Sequence, residues 1–142
     1  MSGRSFFDTN VLVYTDDAGA PAKRERALGL LAEHRRSRSG VLSTQVLQEY
    51  FVAATKKLGV EAATARRKVE LFARLELVPI GLDDILGAID LHRLHQLSFW
   101  DGLIVRAAHA SGCTRLYSED LKDGWRLDGL TVVNPFTKRS GQ

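Results

Sequence analysis

Short apolar runs at positions 5–7, 41–43, 77–80, 115–118 and 130–133 alternate with longer stretches of helical periodicity, and this constrains the fold more than any other feature of the chain. Strands separated by helices of ten or more residues pair in parallel through right-handed crossovers. The alternation therefore predicts an α/β fold, a three-layer α/β/α sandwich around a central parallel sheet. Thr9 to Tyr14 follows the first run as a turn and short helix. Ala27, Leu30, Leu31 and His34 form the stripe of a helix from Pro21 to Arg36, and Gly40 ends that segment. Thr44 reads as the N-cap of a helix whose stripe is Val46, Leu47, Tyr50, Phe51 and Ala54. Ala62, Ala65, Val69, Phe72 and Ala73 mark a further helix, as do Leu82, Ile85, Leu86 and Ile89, and finally Leu103, Ile104, Ala107 and Ala108. Pro79 lacks an N–H and places its strand at a sheet edge. At 142 residues the chain fits one domain over 1–142, with 137–142 as a loose polar tail.

Composition narrows the function classes. A single cysteine, Cys113, rules out an internal disulfide framework and argues against structural zinc. No stretch is apolar enough for a signal peptide or a membrane span, so the expected location is the cytoplasm. The net charge is only +3, but basic residues are bunched: Lys23-Arg24 with Arg26, Arg35-Arg36 with Arg38, Lys56-Lys57, Arg66-Arg67-Lys68 and Lys138-Arg139. Any one bunch is an ordinary solvated helix face; the five together point to a polyanionic partner.

The acids fall where a parallel sheet places its ligands, beyond the carboxyl ends of the strands at the point where strand order reverses. Asp8 follows the first strand, Asp120 lies just past the strand ending at Ser118, and Asp101 opens the helix leading into that strand. Glu49 lies in the second turn of the helix after 41–43, off its apolar stripe. Carboxylates about 4 Å apart repel by on the order of 4 kcal/mol at an effective dielectric of 20, so such a cluster calls for a cation. Oxygen ligands without His or Cys favour Mg²⁺ or Mn²⁺ over Zn²⁺. A cation there could polarise a phosphodiester and activate water. Singly, each acid has an ordinary reading as a turn or helix-end residue. Phe6-Phe7-Asp8 and Phe99-Trp100-Asp101 set acids in apolar surroundings, which argues for a role.

These residues resemble the PIN-domain nucleases, in particular the VapC-type toxin ribonucleases of toxin–antitoxin pairs, from about Phe6 to Phe136. Phe6-Phe7-Asp8-Thr9-Asn10-Val11-Leu12 is similar to the family's opening motif, Ser43-Thr44-Gln45-Val46-Leu47-Gln48-Glu49 to its second, Ser98-Phe99-Trp100-Asp101-Gly102 to its third and Tyr117-Ser118-Glu119-Asp120 to its fourth. The resemblance implies strand order 3-2-1-4-5 and an Mg²⁺- or Mn²⁺-dependent endoribonuclease with Asp8, Glu49, Asp101 and Asp120 as metal-holding catalytic acids. Asn10 and Thr44 would support the site. Glu119 and Asp123 stand so near Asp120 that either can share or support the fourth ligand. The expected partners are RNA, a cognate antitoxin and a second copy of the chain in a homodimer.

Other readings are weaker. His92, His95 and Cys113 lack an evident fourth metal ligand. Asp8-Thr9-Asn10-Val11 approaches the motif of haloacid-dehalogenase-like phosphatases, but Asn10 cannot exchange the proton that their second carboxylate transfers. A non-catalytic RNA- or partner-binding module would be marked by a missing acid, and all four are present. Tyr14, Trp100 and above all Trp125 are candidates for stacking on bases.

Overall fold

The computed structural model describes residues 3–137. In chain order the elements are β1 (Ser5–Phe7), α1 (Thr9–Tyr14), α2 (Pro21–Arg36), β2 (Gly40–Ser43), α3 (Thr44–Lys57), α4 (Ala62–Phe72), β3 (Glu76–Val78), α5 (Leu82–His95), α6 (Phe99–Ala110), β4 (Arg115–Tyr117), β5 (Arg126–Leu127) and β6 (Leu130–Val133). The sheet runs β3-β2-β1-β4-β6-β5, parallel throughout except for the β5–β6 pair. Counting only parallel strands, β6 is the fifth, and the order is the expected 3-2-1-4-5.

Phe6, Phe7, Leu42, Leu116 and Val132 are fully buried along the strands, so the central strands are apolar on both faces, as a sheet covered by helices on both sides requires. The His34 ring of α2 meets Phe7 and Tyr117 edge-on at 5.5 Å, covering one face. Gly40 sits at that contact: a Cβ there would lie 3.2 Å from His34, Leu75 and Phe7, so the close approach of α2 needs its missing side chain. α6 packs against β2 and β4, and α5 packs on α6 through Ala88 and Gly102.

Several local expectations are corrected. Ser43, not Thr44, caps α3, its hydroxyl accepting from the Val46 N–H; Thr44 is the first helical residue, and its hydroxyl accepts from the Ile80 N–H at 3.2 Å. The third strand ends at Val78, one residue before Pro79, on the predicted sheet edge. Phe51 lies at the surface, not in the core. The stripe Leu82, Ile85, Leu86 and Ile89 does form one face of α5, but no element among the described residues covers it, and Ala88 is the helix's buried residue. β5 is unanticipated. It pairs with β6 through the two-residue turn Asp128-Gly129, both at positive φ, which is the favoured geometry for a tight hairpin. The tail proposed for 137–142 lies outside the described residues beyond Thr137, as do Lys138 and Arg139. Among the described residues no helix is long and apolar enough to cross a membrane.

Candidate functional site

Crossovers leave β1 in opposite directions, to β2 on one side and eventually to β4 on the other, so the carboxyl ends of β1 and β4 form the switch point. A cavity of about 500 Å³ opens there, and Asp8, Glu49, Asp101 and Asp120 all line it, with Thr9, Asn10, Gln45 and Glu119.

Asp8 leaves β1 as the N-cap of α1, in an extended conformation that returns its side chain to its own helix. Oδ1 accepts from the Thr9 N–H at 2.7 Å, and Oδ2 accepts from the Ser118 hydroxyl at 2.8 Å. Desolvation pushes the Asp8 carboxyl up to about 6; the Ser118 and Thr9 hydrogen bonds oppose the rise, and the charges of Asp101 and Asp120 add to it. None of the four acids has a Lys or Arg ion-pair partner among the described residues.

Ser118 joins the two strand ends. Its hydroxyl donates to Asp8 and accepts from the Asp120 and Leu121 N–H groups at 3.2 Å, which fixes the loop carrying Asp120. Asn10 makes a second tie. Its Nδ2 donates to Asp120 at 3.2 Å and to Asp8 at 3.4 Å, while its Oδ1 accepts from the Glu119 N–H at 3.2 Å.

The other two acids come from helices. Ser98 caps α6, its hydroxyl accepting from the Asp101 N–H at 3.0 Å, so Asp101 stands in the first turn at the cleft. Desolvation raises the Asp101 carboxyl above the usual range; Ser98 opposes this, and Asp120 and Glu49 reinforce it. Glu49 accepts from the Thr9 hydroxyl at 2.6 Å and from Gln45 Nε2 at 3.2 Å.

Of the supporting residues expected, Asn10 stands at the centre of the cleft. Glu119 lines the same cavity but is held by other partners: its carboxylate accepts from the Tyr14 hydroxyl at 2.5 Å and pairs with Lys23 at 2.6 Å. Burial works to raise its pKa, yet Lys23 and Tyr14 together hold it below the ordinary value, so Glu119 is charged and already satisfied. Asp123 Oδ1 accepts from the Asn134 N–H at 2.9 Å and does not line the cleft, nor does Thr44. Thr9, Gln45, Ser98 and Ser118 were not singled out from sequence. Ser118, two residues before Asp120, carries a detectable signal, since a serine hydroxyl commonly binds backbone two residues on.

Among the described residues no three His, Cys, Asp or Glu side chains stand close enough to hold an ion between them. The four acids share a lining, and the His92, His95 and Cys113 reading finds no such group either. The donor chemistry of the cleft nonetheless suits a hard cation. Its candidate ligand atoms are carboxylate and amide oxygens, Asp8 is buried without a cationic partner, and the buried Gln45 Oε1 has no hydrogen-bond donor among the described residues. Trp125 is partly buried with its ring against His95 at 5.6 Å, which makes it a packing residue.

Comparisons with known proteins agree with this architecture. The chain resembles VapC20 of Mycobacterium tuberculosis, described as a sarcin-ricin loop cleaving toxin, with TM-score 0.69 and 23% identity over 82% of this chain and 89% of that one. It resembles equally a toxin–antitoxin complex from Klebsiella pneumoniae, with TM-score 0.69 and 21% identity over 92% and 97% of the two chains. VapBC2 from Rickettsia felis, bound to a DNA fragment from its promoter, gives TM-score 0.66 and 20% identity over 90% and 96%. No curated protein matches in sequence. The family model of the PIN domain matches residues 5–122, and the chain belongs to the PIN domain family.

Proposed function

We propose that this protein is an Mg²⁺- or Mn²⁺-dependent endoribonuclease that hydrolyses RNA phosphodiesters at the cleft between β1 and β4. The observation that carries the reading is Asp8, buried at the switch point with no cationic partner and sharing its cleft with Asp101, Asp120 and Glu49. A bound divalent ion would polarise the scissile phosphate and lower the pKa of a water. Asp8, Asp101, Asp120 and Glu49 are the residues that would hold it. Asn10 and Ser118 keep Asp8 and Asp120 in fixed register, Ser98 fixes Asp101, and Thr9 fixes Glu49.

In this reading the chain is the toxin of a toxin–antitoxin pair, acting in the cytoplasm with a cognate antitoxin and as a homodimer. Support for an antitoxin partner comes from two structures of similar fold, one described as a toxin–antitoxin complex and one as VapBC2 bound to promoter DNA. The uncovered apolar stripe Leu82, Ile85, Leu86 and Ile89 supplies surface for protein contacts. The unconverged acids favour a second reading, a binding module without turnover.

Incubation of total RNA with purified, antitoxin-free chain separates the two. Discrete fragments that require Mg²⁺ or Mn²⁺, vanish with EDTA and are lost in Asp101→Ala support the nuclease. RNA left intact by the folded, metal-supplied chain contradicts it and favours the binding module.

A further inference from the structure

An acid-lined cleft would engage one phosphate through its metal and otherwise repel a polyanion, so cations beside it are where further affinity for RNA is to be sought. A second cavity, of about 890 Å³, opens between α2 and the β4–β6 side of the sheet. Lys23 and Arg26 of α2 and Arg115 of β4 line it, Tyr117, Val133 and Phe136 give it apolar surface, and none of its described lining residues is acidic. The topology explains the opening. Arg115 and Tyr117 alternate along β4 and so share a face with their β6 partners Thr131 and Val133. No helix follows β6 among the described residues to cover that face.

The arginines are held in place and, among the described residues, have no acidic partner. Elsewhere Arg4 pairs with Glu76, Lys68 with Asp16 and Arg106 with Asp84. The partly buried Arg115 instead directs its Nε to Ser5 Oγ at 3.1 Å and lays its guanidinium 5.7 Å from the Tyr117 ring centre. Arg26 Nε donates to the Pro135 carbonyl at 3.0 Å. Both side chains are thus fixed through Nε, and among the described residues neither set of Nη groups has a protein acceptor. A guanidinium in that state is suited to bind phosphate oxygens. The third cation, Lys23, pairs with Glu119, which lines the acidic cleft, so the two cavities meet at this ion pair.

We propose that this basic cleft is a substrate subsite that binds RNA backbone phosphate adjoining the segment held at the acids, with Arg26 and Arg115 as its phosphate-binding residues. The proposal rests on the nuclease reading and adds the path of the strand, from the acids across Lys23 and Glu119 onto the open face of β4 and β6.

Fluorescence anisotropy of a labelled single-stranded oligoribonucleotide tests it, using the full chain with Asp101→Asn to prevent cleavage, in Mg²⁺ and across a salt series. The pair Arg26→Gln and Arg115→Gln lowers the slope of log affinity against log salt by about 1.4, at about 0.7 per phosphate contact on a single strand. Arg26→Gln alone, at an exposed position, lowers it by about half as much, and Arg26→Lys restores it. With Asp101 intact, the double variant raises KM and leaves kcat unchanged. A parent that binds RNA, with variants of unaltered slope and affinity, overturns the subsite and leaves the nuclease reading standing. Variants that keep RNA binding but lose binding of a polyglutamate probe assign the cleft to an acidic protein and also overturn the proposal. A parent that binds no RNA under any condition overturns the nuclease reading itself.

Discussion

Replacing Asp8 with asparagine should make the metal-free protein more stable, although Asp8 is the most buried acid of the cleft. The reasoning starts from its carboxyl, raised from 3.8 to about 6 chiefly by desolvation. A raised carboxylate is a cost carried by the folded state: absent below the unfolded value near 3.8, it grows as pH rises and is complete above about 6. The move corresponds to roughly 3 kcal/mol at neutral pH. The amide side chain removes the charge and keeps an oxygen for the Thr9 N–H, but the Ser118 hydroxyl and, at the longer 3.4 Å, Asn10 Nδ2 lose their acceptor, together a loss of about 1 kcal/mol because Asn10 Nδ2 keeps Asp120. Asp8→Asn is therefore expected to gain about 2 kcal/mol at pH 7.5 in EDTA, a rise in Tm of roughly 5–10 °C. Below pH 4 the gain disappears and the lost Ser118 bond makes the variant the weaker protein. His34, whose pKa is lowered by burial and by Arg115, has the opposite dependence, losing stability as pH falls below its ordinary 6.5. It is common to both proteins and cancels in their difference. Urea unfolding of both proteins between pH 4 and 8 measures the effect. A variant less stable than its parent at pH 7.5, or a gain independent of pH, would refute the reasoning.

Three further substitutions probe the scaffold. Asn10→Ala unties the Glu119-Asp120 loop from Asp8, so RNA cleavage should fall roughly tenfold while unfolding free energy drops only about 1 kcal/mol, a split that kinetics and urea unfolding resolve together. Gly102→Ala puts a Cβ 2.8 Å from the Ala88 carbonyl oxygen, forcing α5 off α6; a loss of about 1–3 kcal/mol is expected by thermal unfolding, with reduced cleavage because Asp101 is the adjoining residue. Tyr50→Phe removes the hydroxyl that donates to Asp16 at 2.5 Å, and since Lys68 still pairs with Asp16, a loss of about 1 kcal/mol with unchanged cleavage is expected.

The acids were legible in sequence because strand ends are legible. Asp8 directly follows a buried apolar run, and Asp120 lies three residues past the end of β4, so parallel pairing alone brings them to one edge. The edge position of β3 followed in the same way from Pro79, although that residue lies just beyond the strand. What holds the acids was harder to see. Thr9 and Ser118 reach acids 40 and 110 residues away through their hydroxyls, and the Gln45 amide reaches Glu49 one helical turn along and the Trp100 carbonyl 55 residues away. Periodicity found α5 but could not show which face a neighbour covers, because Leu82 and Ile85 look identical in sequence whether packed or bare. The β5–β6 hairpin did carry a sequence signal, Asp128-Gly129, but Arg126-Leu127 is too short and too polar to read as a strand.

The most direct test of the account is Mn²⁺ binding, followed by electron paramagnetic resonance, in the parent chain and in Asp8→Asn, Glu49→Gln, Asp101→Asn, Asp120→Asn, Glu119→Gln and Asp123→Asn. The account predicts that the parent binds Mn²⁺, that the first four substitutions weaken or abolish binding, and that Glu119→Gln and Asp123→Asn leave it nearly unchanged. A parent that binds no Mn²⁺, or one whose binding survives Asp8→Asn and Asp101→Asn intact, would contradict it.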